Sequence, residues 1–137
     1  HRPEIAVQSV VVPGVREAET LPLSELARRF RELAEKARAG NATPDELTGG
    51  TFTISNMGMM NVESFGAIIN PGESSILAVA SAQAQPVVRE GKIVVREMMR
   101  LTLSCDHRLV DGTLGAGFVN AVKRKLEDLG LWKSLAT

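Results

Sequence analysis

Apolar and polar residues follow two different periods along this chain. Leu26, Phe30, Leu33 and Ala37 recur at steps of four, three and four, with Arg28, Arg29, Glu32, Glu35 and Lys36 between them. That is one face of a helix. Pro22 suits its first turn and Gly40 its C-terminal cap. Thr43-Pro44-Asp45-Glu46 has the form of a capping box with proline at the first helical position, and predicts one short helical turn closed by Gly49-Gly50. A second stripe, Leu114, Phe118, Val122, Leu126 and Leu129, predicts a helix from about Thr113 to Leu129. Between the two helices the period shortens. Thr51 to Ser55 alternates and is β-branched. Ser74 to Ala82 follows an Asn70-Pro71-Gly72 turn and contains the longest apolar run, Ile76 to Ala80, which fits a buried strand. Pro86 to Arg89 and Lys92 to Arg96 flank Glu90-Gly91, a hairpin signal. Met98 to Cys105 reads as a further strand with Leu101 and Leu103 on one face. Asn56 to Gly66, with three Met, reads as a loop that packs. Ile5 to Val15, broken by Pro13-Gly14, reads as one or two strands. The order predicts an α/β (α+β) domain, a mixed central β-sheet covered by the two helices.

Composition narrows the function. The chain has 137 residues, 44% of them hydrophobic, and sixteen Lys+Arg balance sixteen Asp+Glu. A length of this order supports one buried core. A neutral chain lacks the basic surplus that phosphate neutralisation needs, and 4% aromatics leave no stacking platform for single strands. A nucleic-acid partner is therefore not expected. No run approaches the roughly 20 apolar residues of a membrane span. One cysteine, Cys105, excludes an internal disulfide and the Cys-rich kind of zinc site, so no metal is expected and a reducing compartment is the simple reading. The first residue is His1 and no charged-then-apolar leader follows it, which suggests a processed fragment or the ordered part of something longer.

Candidate chemistry concentrates in Ser104-Cys105-Asp106-His107-Arg108-Leu109-Val110-Asp111-Gly112, at a strand end before a helix. His107 is the only interior histidine. Imidazole titrates near neutrality and serves as a general base. Plainer roles exist for each neighbour. Asp111 is a good N-cap for the last helix, Asp106 and Arg108 are an ordinary surface pair, and Cys105 is a small core residue. A Cys-His nucleophile pair needs the strand to stay regular into the turn.

The run from Asp106 to Gly112 resembles the His-x-x-x-Asp-Gly signature of the dihydrolipoamide acyltransferases, core components of 2-oxo acid dehydrogenase complexes. Four other stretches match in order. They are Leu33 to Arg38 with Thr43 to Leu47, Gly50 to Gly58 (with Thr-Phe-Thr-Ile-Ser-Asn), Ala67 to Pro71, and Ile76 to Val79. The resemblance covers nearly all of Leu26 to Leu126. It implies a chloramphenicol acetyltransferase-like fold with its N-terminal part missing. The 137 residues would then be the C-terminal part of a single acyltransferase catalytic domain, without lipoyl or peripheral-subunit-binding domains. The implied activity is transfer of an acyl group, acetyl by the likeness of Met98 to His107, between dihydrolipoamide and coenzyme A. In this reading His107 takes the thiol proton of coenzyme A and Ser55 stabilises the oxyanion. Asp111 holds the active-site loop and Gly112 lets the backbone turn closely into the last helix. Asn56, Met57 and Gly58 lie beside Ser55 as lining of the lipoyl channel, where the methionines serve equally as flexible core filler.

The resemblance also implies company. Coenzyme A is a co-substrate, and the lipoyl group arrives on a separate domain. By this resemblance the chain would form a homotrimer that assembles into a larger core with decarboxylase and dihydrolipoamide dehydrogenase components. His107 and Ser55 of each site come from different chains. The expected location is the bacterial cytoplasm, with the mitochondrial matrix as alternative. Two competing readings are a non-catalytic, truncated structural core module and a chloramphenicol acetyltransferase-like enzyme acting on a small alcohol. The second ranks last, because Asp106-His107 stands where such relatives have His-His.

Overall fold

A computed structural model describes residues 11–135, which fall into two compact units. The first unit is described over residues 11–50. Helix α1, Leu23–Arg38, starts after Pro22 and ends at Ala39, and Gly40 follows with φ of 72°. A positive φ suits glycine, which explains the stop. The capping box forms as the sequence predicts. Thr43 accepts from Glu46 N–H, the Glu46 carboxylate accepts from Thr43 N–H at 2.9 Å, and a single 3-10 turn spans Pro44–Glu46. Lys36 Nζ donates to Glu46 Oε1 at 2.8 Å and ties helix to turn. The predicted strand at Ile5 to Val15 lies partly outside the described residues. Its remainder, 11–15, carries no regular element. Instead Gly14 N–H donates to Glu46 O at 2.8 Å, and Arg16 Nη2 donates to Asp45 O at 3.2 Å.

The second unit holds the sheet. Strand β1 is Thr53–Asn56, β2 Ser75–Val79, β3 Gln83–Arg89, β4 Lys92–Met98 and β5 Leu101–Cys105. Three of them form a mixed sheet in the order β1-β2-β5. β1 and β2 are parallel, with Ser55 opposite Ala78, and β2 and β5 are antiparallel, with Ser75 opposite Cys105. β3 and β4 make a separate hairpin. Its turn residues Glu90 and Gly91 both have positive φ, 50° and 73°. That is the turn whose twist matches the strands it joins.

Helix α2, Gly112–Glu127, packs on β5. Side chains paired across a sheet share a face, so Leu103 and Cys105 belong with Leu77 and Ile54. This is the α2 side: a Cβ at buried Gly115 would stand 3.5 Å from Leu103 Cδ2 and 3.8 Å from Cys105 Sγ. Phe52 meets Phe118 of α2 with ring centroids 5.4 Å apart. Thr53, Ser55, Ile76 and Ala78 point from the opposite face.

Three expectations need correction. The last helix does not run through to Leu129. Asp128 leaves helical geometry (φ −85°, ψ 94°), and its Oδ1 accepts from Leu131 N–H at 3.1 Å, capping a separate helix α3, Leu129–Leu135. The methionine loop does not pack its side chains: Met59 is fully exposed and Met60 largely so. The core is also smaller than the chain length suggests. Among the described residues only Ile76, Leu77, Ala78 and Ala80 are buried apolar side chains, while Ile68 is 91% exposed. Within the second unit α2 is the helix that packs on the sheet, and α1 belongs to the first unit.

Candidate active site

The motif histidine lies in a tight connection between sheet and helix. β5 ends at Cys105. Asp106 continues its ladder by one bond, N–H to Ser74 O at 2.8 Å, and its carbonyl then accepts from the N–H groups of Leu109 and Val110, both at 2.9 Å. His107 is on this turn and is exposed. The strand does not stay regular past Cys105, so the Cys-His pairing has no geometric basis. Cys105 is half-buried, with Sγ 3.9 Å from Val110 O. Asp106 pairs with Arg108. Nε donates to Oδ1 at 2.9 Å and Nη2 to Oδ2 at 2.6 Å. These charge-assisted bonds lower the Asp106 pKa from 3.8 to about 2.

Asp111 takes the role of N-cap. Its Oδ1 accepts from Leu114 N–H at 2.8 Å, and its extended backbone (φ −79°, ψ 171°) leads into α2. It thus fixes the far end of the His107 connection. Gly112 does not meet its expectation within this chain, because a Cβ there finds nothing within 4 Å and its φ is not positive. At buried Gly115 a Cβ would meet Leu103, Cys105 and Val110 at ordinary contact distances of 3.5 to 3.8 Å.

Ser55 is half-buried in β1, opposite Ala78. Asn56 follows on the other pleat, so the two side chains leave opposite faces. Asn56 Oδ1 accepts from Gly58 N–H at 2.8 Å, and Met57 N–H donates to Val79 O at 2.9 Å. The 57–62 turn is closed by Ser81, which is buried. Its Oγ accepts from Val62 N–H at 3.0 Å and lies 3.4 Å from Met57 O, to which it donates. Below Ser55, Thr53 Oγ1 donates to Glu73 Oε2 at 2.7 Å and accepts from Asn70 Nδ2 at 2.9 Å. These supports escaped the sequence reading. A lone serine past a strand carries no pattern, although Asn70-Pro71 stood in a matched stretch.

The site residues do not converge. Along β2 and the residue before it, Ala78, the partner of Ser55, is four positions from Ser74, the partner of Asp106. That is about 13 Å along the strands and about 10 Å across two strand spacings, so Ser55 and Asp106 stand about 16 Å apart at Cα. Ser55 also faces away from α2, whereas His107 leads into it. His107 and Asp111 share one loop, and Ser55, Asn56, Met57 and Gly58 share another site at the opposite end of the sheet. A cleft of about 330 Å³ in the first unit contains none of these residues. Several of its lining charges are already paired, with Arg28 on Glu25 and Lys36 on Glu46. Among the described residues no cluster of His, Cys, Asp or Glu could hold a metal ion, and no helix is long and apolar enough to cross a membrane.

Comparison with known proteins agrees with the motif. Residues 5–133 match the family model of the 2-oxoacid dehydrogenases acyltransferase (catalytic domain). The dihydrolipoyllysine-residue acetyltransferase component of the pyruvate dehydrogenase complex from Rickettsia felis is 40% identical over 128 residues, 93% of this chain and 31% of that protein. The succinyltransferase component of the 2-oxoglutarate dehydrogenase complex from Haemophilus influenzae is also 40% identical, over 121 residues, 88% of this chain and 30% of that protein. Among solved structures, the Azotobacter vinelandii dihydrolipoamide acetyltransferase superposes with a TM-score of 0.82 at 37% identity, covering 93% of this chain and 51% of that one. That structure comes from crystallographic and enzymatic work on the role of a serine, a histidine and an asparagine in its catalytic mechanism. The chain therefore spans under a third of these curated relatives and about half of the solved one.

Proposed function

The chain belongs to the 2-oxoacid dehydrogenase acyltransferase family, within its catalytic domain, and on that premise we propose that it contributes the general base and the oxyanion donor of an acyltransferase that moves an acetyl group between dihydrolipoamide and coenzyme A. The observation that carries the reading is one of spacing. The serine and histidine studied in the Azotobacter vinelandii enzyme are as many residues apart as Ser55 and His107. The asparagine there follows its histidine at the same interval as Asp111 follows His107.

The chemistry follows from what those groups can do. A coenzyme A thiol is mostly protonated at neutral pH. His107 accepts its proton, and the thiolate attacks the thioester carbonyl of acyl-dihydrolipoamide. The Ser55 hydroxyl donates a hydrogen bond to the oxyanion that forms, a contact typically worth about 3 kcal/mol of barrier. Collapse of the tetrahedral intermediate breaks the old carbon–sulfur bond. The departing dihydrolipoamide thiolate takes the proton back from the imidazolium. Asp111, as N-cap, holds the base and takes no proton. Asn56, Met57 and Gly58 line the approach of the lipoyl arm.

The distance between Ser55 and His107 within one chain argues that each site joins two chains, as in a homotrimer built into a larger core. The exposed apolar surface supports such an assembly. The partners in this reading are a lipoyl domain and the decarboxylase and dihydrolipoamide dehydrogenase components, in a bacterial cytoplasm. Acetyl is the acyl group favoured by the resemblance, and equal identity to a succinyltransferase component keeps succinyl as an outcome to test. The test uses the full-length assembled protein with acetyl- and succinyl-dihydrolipoamide. His107→Ala and Ser55→Ala should each lower transfer to coenzyme A by at least about 100-fold. Wild-type turnover in either variant rejects its assigned role, and absent transfer in the unaltered protein leaves the structural core module.

A further inference from the structure

The proposed roles leave one carboxylate beside His107 without a task. Asp106 is fixed to the sheet through its own N–H, which donates to Ser74 O at 2.8 Å. Its Oδ1 accepts from the backbone N–H of Arg108 at 3.0 Å, a side-chain turn that spans the histidine. The peptide after His107 is therefore tied to the carboxylate of the residue before it, which is itself anchored to the sheet, while the ring is exposed. The same carboxylate takes two bonds from the Arg108 guanidinium, at 2.9 and 2.6 Å.

These contacts differ in weight. The Arg108 side chain is 88% exposed, so its ion pair is screened by water and holds little in place. The bond to the Arg108 N–H acts on the backbone of the very turn that aims the imidazole. We propose that Asp106 is a positioning residue: through its Oδ1 bond to the Arg108 N–H it fixes the backbone that points His107 at the acceptor thiol. This rests on His107 being the general base. A displacement of about 1 Å at a reacting group lowers rates by about 100-fold, so loss of the turn should be felt in kcat. Both KM values depend on surfaces the turn does not build. The Arg108 guanidinium holds the Asp106 carboxyl below its usual range, but at neutral pH the carboxylate is ionised without it.

The experiment compares variants in the full-length assembled protein, with steady-state kinetics for both substrates. Asp106→Ala should lower kcat by about 10- to 100-fold, with both KM values within about threefold of the unaltered protein. Asp106→Asn keeps the acceptor and should restore kcat to within about threefold. Arg108→Met should also stay within about threefold, because the backbone bond survives. His107→Ala serves as reference. If His107→Ala is inactive and Asp106→Ala turns over normally, the positioning role is overturned and the base assignment stands. If His107→Ala is active, the base assignment itself fails. A loss in Arg108→Met equal to that in Asp106→Ala would overturn the proposal in favour of the ion pair. Should Asp106→Ala fail to assemble, Asp106→Gln takes its place. The extra methylene prevents closure of the two-residue turn, so Gln should lose activity where Asn keeps it, and equal activity of the two overturns the proposal.

Discussion

Mixing two inactive variants tests the separation of Ser55 from His107 directly. The residues stand at opposite ends of β2, and the Cα atoms of Ser55 and Asp106 are about 16 Å apart. Ser55 also points from the face that α2 does not cover. On the proposed reading one chain does not present both groups to one thioester, and the site would form across a head-to-tail interface, with the base from one chain and the hydroxyl from the next. Assemblies of Ser55→Ala alone, or of His107→Ala alone, should fall to about 1% of normal transfer or less. In an equal, random mixture, a site works when an intact histidine meets an intact serine, which happens in about one quarter of interfaces. Co-expression with two affinity tags and sequential capture yields the mixed assemblies, and acyl-coenzyme A formation per chain is the readout. A control co-assembles unaltered chains with Ser55→Ala/His107→Ala chains. It should give about one quarter for sites between chains and about one half for sites within a chain. Mixed single-variant assemblies no more active than their parents, together with a half-active control, refute the argument.

Two further outcomes follow. Asp111→Ala removes the acceptor for Leu114 N–H and should cost about 1 kcal/mol in the first turn of α2. Hydrogen exchange at Leu114 should accelerate accordingly, whereas Asp111→Asn, which still caps, should preserve both protection and transfer activity. The Asp106–Arg108 contact sets an acid limit. The Asp106 pKa is lowered from 3.8 to about 2 by bonds from Arg108, so its stabilising contribution is complete above about pH 4 and disappears as pH falls through about 2. A carboxyl NMR titration should find Asp106 near that low value, and Arg108→Met should return it towards 3.8; an unmoved midpoint refutes the assigned cause.

Local signals in the chain were read correctly where one residue decides the outcome. The Thr43/Glu46 capping box, the Glu90-Gly91 hairpin turn, the buried run at Ile76 to Ala80 and the Asp111 cap each depend on neighbours within a few positions. One misreading turns on a local cap, and the others lie where distant chain decides. Leu129 fits the apolar stripe of α2 by spacing, but Asp128 caps a new helix, and an aspartate inside a helical pattern does not announce which helix it belongs to. Met59 and Met60 look like core filler by composition and emerge exposed. The resemblance named His107, Ser55 and Asp111 and implied that His107 and Ser55 of one site come from different chains, yet no sequence pattern reveals that β1 and β5 bracket β2. Strand order is fixed by long-range pairing, which a linear reading does not contain. The supports at Ser81 and Thr53 belong to the same class, since their partners lie 17 to 24 residues away.

The outward-facing apolar side chains have a thermodynamic consequence. Among the described residues four apolar side chains are shielded, while Ile68, Met59 and Leu129 are turned outward, so whatever polypeptide covers them adds its binding free energy to the stability of the fold. Where a second copy provides the cover, the melting temperature climbs with concentration; where the cover belongs to the same polypeptide, it does not.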